Sequence, residues 1–76
     1  MSYTLTNEEK VGIIEQHLKT LEYNKYNLRV TMLTLSADPN SKAQNIKDLE
    51  RQIETITQKQ DVLFKELDSL NGEDNG

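Results

Sequence analysis

Leu35-Ser36-Ala37-Asp38-Pro39-Asn40-Ser41-Lys42-Ala43-Gln44-Asn45-Ile46 decides whether this chain is one long rod or two packed helices. Pro39 has no amide hydrogen to donate, and its ring disfavours helical backbone at Asp38, so a helix running through it would lose about 3 kcal/mol. Its neighbours Ser36, Asp38, Asn40 and Ser41 are residues whose side chains bond locally to turn backbone. Either Asp38, with Pro39 in the first turn, or Ser41-x-x-Gln44 can start a second helix. The segment predicts a reversal over about residues 37–41.

Working outward in both directions, apolar residues follow a heptad. Before the turn they stand at Val11, Ile14, Leu18, Leu21, Leu28, Met32 and Leu35, with Lys25 in the one gap. After it they stand at Ile46, Leu49, Ile53, Ile56, Leu63, Leu67 and Leu70, with Gln60 in the one gap. Fourteen of these sixteen seam positions are apolar, a 3.5-residue repeat that puts one stripe on each helix and favours left-handed supercoiling against a neighbour. The eleven-residue step from Leu35 to Ile46 keeps the phase, so a parallel coiled coil of single rods is compatible with the spacing alone. That rod would carry Pro39 and Lys42 at consecutive seam positions, and the hairpin is the better reading.

In the hairpin, facing seam residues have numbers that sum to 81, from Leu35 with Ile46 to Val11 with Leu70. Lys25 then faces Ile56, and Gln60 faces Leu21 in the adjacent layer, so the two polar seam positions form one notch at mid-height. One reading lets Lys25 reach water along its aliphatic stem while Gln60 bonds at the edge and fixes register. The other makes the notch a recognition point for a partner's carboxylate. On the flanks the register brings Arg29 toward Glu50 and His17 toward Glu66, exposed pairs contributing at most about 1 kcal/mol each.

Thr6-x-x-Glu9 is a capping-box sequence, with Glu8 and Glu9 suited to the positive end of the helix dipole. Helix one is expected over about residues 7–36 and helix two over about 42–70. Asn71-Gly72 is expected to supply a left-handed stop, followed by a mobile acidic tail at 72–76. Residues 1–5 are read as irregular, with Tyr3 and Leu5 able to fold back on the helix start. The stretch from Leu28 to Leu35 contains β-branched residues and partly alternates, but the heptad runs through it and no second strand exists to pair with it.

Helix one carries a second stripe, Tyr23, Tyr26, Val30 and Leu33, on the face away from the seam. The matching face of helix two reads Lys47, Asp48, Arg51, Glu54, Thr55 and Gln58, with Val62 and Phe64 as apolar outliers farther along. Four exposed apolar side chains at this spacing make a patch of several hundred Å², the scale of an interaction site. A lone two-helix hairpin is also short of core. The expectation is an all-α, antiparallel two-helix coiled-coil hairpin that dimerises into a four-helix bundle with this stripe at its centre. A monomer, or docking on a different protein, are the other readings.

Composition removes much chemistry. Seventy-six residues with 34% apolar content, no Trp, no Cys, one Phe and one His give few groups for a catalytic pocket, so no enzyme activity and no cofactor are expected. His17 has Ile14 three residues before it, which breaks the Glu-x-x-His pattern of diiron bundles, and no metal site is expected. No phosphate-binding glycine loop or nucleophile elbow occurs. Gly12 lies inside helix one, where it either permits close approach or is simply tolerated. No apolar run exceeds three residues, as at Val62-Leu63-Phe64, so no membrane span or signal-peptide core is expected, and the chain reads as soluble, unprocessed and cytoplasmic. The net charge of −4 opposes nonspecific attraction to phosphate backbones. Lys42, Lys47 and Arg51 do cluster near the turn, and an RNA-binding hairpin dimer of Rop-like architecture is the alternative from a different class. Asp38, Asp48, Glu50 and Glu54 interleave with that cluster, and no aromatic lies on its face to stack bases.

Residues 2–28, SYTLTNEEKVGIIEQHLKTLEYNKYNL, resemble the openings of small helical-hairpin proteins of marine contractile-tailed bacteriophages. The resemblance covers about a third of the chain and contains no functional motif. It implies a setting in the cytoplasm of a phage-infected bacterium and transfers no residue role. The whole reading is a noncatalytic protein–protein association module, a homodimer or a small accessory or regulatory protein with an unidentified protein partner.

Overall fold

The computed structural model describes residues 3–40 and 42–74, and the chain is an all-α helical hairpin. Helix α1 spans Asn7–Ala37 and helix α2 spans Ala43–Asp74, with no strand among the described residues. Residues 3–6 are not helical. Tyr3 is almost wholly exposed and Leu5 half exposed; Leu5 lines the opening between the helix ends with Ile14 and Leu70, whereas Tyr3 does not fold back.

The start of α1 is the expected capping box. The Thr6 amide donates to Glu9 Oε1 at 2.9 Å, and the Glu9 amide donates to Thr6 Oγ1 at 3.1 Å. The Thr6 amide, and next the Thr6 side chain, hold the Glu9 carboxyl below its ordinary range. The β-branched stretch is helical throughout, with its hydroxyls turned back onto the helix. Thr31 donates to the Asn27 carbonyl at 3.0 Å, Thr34 to Thr31 at 2.8 Å, and Ser36 to Met32 at 2.9 Å.

At the reversal, Asp38 is extended, with φ −89° and ψ 118°, as the residue before a proline must be. Its carboxylate accepts the Asn40 amide at 2.9 Å, a local Asx turn. Asp38 therefore shapes the turn and does not cap α2. The second helix opens after Lys42, whose carbonyl accepts the Asn45 amide at 3.0 Å. The Gln44 amide group reaches Asp48 at 3.1 Å, so it does not complete a capping box, and Ser41 lies outside the described residues.

The far end departs from expectation. Helix α2 continues through Asn71 and Gly72 to Asp74, and no described glycine has positive φ. A left-handed stop is held by an apolar contact from the residue beyond the glycine, and here that residue is Glu73, so nothing fixes the reversal. The mobility expected of residues 75–76 lies outside the described residues. Gly12 has open space where a Cβ would sit, so it serves no close helix approach.

All sixteen seam positions are buried or part-buried, and Asn7, one heptad step before Val11, is the only other described residue that is. The seam therefore runs the length of the hairpin. Asn7 extends it by one polar layer, its Nδ2 donating to the Leu70 carbonyl at 3.5 Å. The resulting body measures 59 × 21 × 17 Å, with a radius of gyration of 17.5 Å. A compact chain of this length would have about 11 Å. Leu70 is the one buried hydrophobic residue and Gln60 the one buried polar residue among those described.

Candidate interaction surface

Two features stand apart from the rest of the hairpin: a polar layer inside the seam and an apolar face outside it. Lys25 Nζ donates to Gln60 Oε1 at 2.9 Å, and Gln60 Nε2 donates to Glu22 Oε2 at 2.9 Å. Lys25 Nζ also stands 3.4 Å from Glu22 Oε2, one helical turn away, which closes the three groups into a ring. The orientation of the Gln60 amide is fixed by chemistry, since the ammonium can only donate and the carboxylate can only accept. Gln60 is 6% exposed, and no buried side-chain polar atom among the described residues lacks a partner.

Both sequence readings of the notch change in detail. The Lys25 ammonium is engaged, not left to water, and Gln60 is enclosed, not at the edge. The carboxylate reserved for a partner is supplied by Glu22 of the same helix. Hydrogen bonds from Gln60 and then Lys25 hold the Glu22 carboxyl below its ordinary range, with the charges of Lys25 and Arg29 adding to the effect. Glu22 was not singled out from sequence because it stands one position outside the seam. The available signal was its i, i+3 spacing to Lys25. The expected flank pairs do not form: Lys25–Glu22 is the one ion pair among the described residues, leaving Arg29 apart from Glu50 and His17 apart from Glu66.

The outer face of α1 is open. Tyr23 is 70% exposed, Tyr26 65%, Leu33 63% and Val30 38%. From Thr20 to Ala37 the charged residues are Glu22, Lys25 and Arg29. The first two belong to the polar layer, and the third follows the seam residue Leu28. The outer face in this stretch is left with Tyr23, Tyr26, Val30, Leu33 and Ala37. Charge depletion with enriched aromatics is what separates the centre of a protein interface from ordinary surface. Toward the open end, Tyr23 joins Val62 of α2 across a groove of about 900 Å³ floored by Leu21 and Leu63. Val62 thus extends the apolar surface, an extension that the α2 sequence showed only as an outlier.

Near the turn, Lys42, Lys47 and Arg51 are all exposed, as are Asp48, Glu50 and Glu54 among them. No described helix is long and apolar enough to cross a membrane. In comparisons with known proteins, no family model, curated protein or solved structure matches this chain.

Proposed function

We propose that this chain is a noncatalytic association module that works as a homodimer of hairpins, joined through the outer face of α1. The observation that carries the reading is the coexistence of a charge-free, exposed aromatic stripe with a body that buries one hydrophobic residue among those described. The chain exposes 6222 Å² of accessible surface. A compact monomer of 8.8 kDa would expose about 4,800 Å², so the surplus of roughly 1,400 Å² exceeds the 800 Å² or so that each partner contributes to a standard interface. Covering the stripe supplies the burial the hairpin lacks. The phage resemblance of residues 2–28 supports a host-cytoplasmic setting for this role, as a small accessory or regulatory protein.

Sedimentation equilibrium tests the reading directly. The expected result is a dimer at micromolar concentration. The Tyr26→Lys, Leu33→Lys double variant is expected to be a folded monomer, its association weakened at least about 100-fold, since hot-spot truncations cost about 2 kcal/mol or more and this change also adds charge. A wild-type monomer at all concentrations, or a variant that still dimerises, overturns it.

A further inference from the structure

We infer that the two copies pack with their α1 helices antiparallel about a two-fold axis at the level of Leu28, forming a row α2–α1–α1′–α2′ and not a square bundle. The inference rests on the homodimer reading and adds its geometry.

The outer face of α1 reads Lys19, Tyr23, Tyr26, Val30, Leu33 and Ala37, with steps of four, three, four, three and four residues. That spacing is the same in either direction. Laid antiparallel on itself, it places Tyr23 against Leu33 of the second copy, Tyr26 against Val30, and Lys19 against Ala37. Each central layer then holds one large ring and one aliphatic side chain, an even cross-section. Laid parallel, it would stack four tyrosines at one end and small side chains at the other.

Charge separates the two arrangements further. From Lys19 to Ala37, Lys19 is the one charged residue on this face, and it makes no ion pair among the described residues. Helix α1 has no basic residue in its last turn, and its C-cap is Asp38. The negative end of the helix dipole is thus uncompensated by its own helix. The antiparallel pairing brings Lys19 of each copy over that end of the other, twice per dimer. The parallel pairing would set Lys19 against Lys19 and align the two dipoles.

The row follows from where the stripe lies. At 3.6 residues per turn, the outer stripe is about 150° around α1 from the seam that meets α2. In a square bundle the two contacts of one helix would be about 90° apart. Here α1 is sandwiched between α2 on one side and its copy on the other, and the charged outer face of α2 stays in water.

The chain has no cysteine, so introduced thiols report cleanly. Tyr23→Cys and Leu33→Cys are prepared separately, each checked for dimerisation by sedimentation, and oxidised alone and as an equimolar mixture. The mixture is expected to give the disulfide between positions 23 and 33, and each variant alone is expected to give none. In the antiparallel pair, position 23 lies about 15 Å along the axis from its own counterpart, beyond the roughly 7 Å that a disulfide spans between Cα atoms. Spin labels on Glu54→Cys measure the row: α2 axes about 27 Å apart are expected, against at most about 14 Å in a square bundle. Self-linked Tyr23→Cys dimers, or the short distance, overturn the geometry while leaving the homodimer standing. A monomeric wild-type chain overturns both.

Discussion

The two apolar stripes of α1 share a helix and a spacing, and they meet opposite fates. The inner one, from Val11 to Leu35, is part-buried against α2 along its whole length and is interrupted once, at Lys25. The outer one, from Tyr23 to Leu33, is exposed and has no interruption. A polar residue in the inner stripe is tolerable because a partner of known position stands opposite to satisfy it. Nothing within the hairpin stands opposite the outer stripe, and its lack of charge makes it costly to leave in water. The contrast separates what holds the hairpin closed from what it leaves exposed.

The sharpest way to break the contrast is to make one substitution in each stripe. Leu28→Ala is expected to destabilise the hairpin by about 2 kcal/mol, the low end for leucine truncation because the site is only part-buried. Leu33→Ala is expected to cost the hairpin less than about 0.5 kcal/mol, as a surface change should. Both are read by urea unfolding in a Tyr26→Lys background, at a protein concentration where sedimentation finds only monomer. Equal losses would mean that the outer stripe packs within its own chain.

Next in size is the polar layer. Lys25→Met leaves Gln60 Oε1 enclosed without its donor and is expected to cost about 1 kcal/mol. Adding Gln60→Leu is expected to recover that loss or exceed it, because an apolar layer needs no polar partner. A double variant less stable than Lys25→Met alone would show that the ring stabilises the fold outright instead of specifying its register.

The smallest expected effect is on acid stability. Glu22 and Glu9 both titrate below the ordinary glutamate value of 4.5 when folded. Their contribution is fully present above that value and is lost as pH falls through the lowered folded values. Glu22→Gln is expected to flatten this acid limb without moving the neutral plateau much. An unchanged acid limb would remove Glu22 from the ring in solution.

The hairpin, its seam and both stripes were legible because each rests on a period repeated over many residues. Pro39 was enough to choose reversal over a rod. What escaped the sequence were single side chains beside the periodic ones. Glu22 stands next to the seam and enters it only through Gln60. Asn7 joins through a carbonyl that no pattern marks. The continuation through Gly72 depends on the absence of an apolar contact beyond it, a weaker cue than the glycine itself. The flank pairs failed for the converse reason: matching charges at facing positions are permitted to meet but gain too little to be held together.

The Asx turn at Asp38 also sets an order of events. Leu35 and Ile46 are joined by a short loop, whereas Asn7 and Leu70 are 63 residues apart, so closure starts at the bend and travels toward the free ends. Amides near Ile53 should exchange with deuterium more slowly than those near Leu67. The tyrosine-bearing half of the first helix lies beside the bend, and it is the half that matures earliest. A newly made chain would therefore be adhesive before it was finished, and pairing would compete with the last turns of its own zipper.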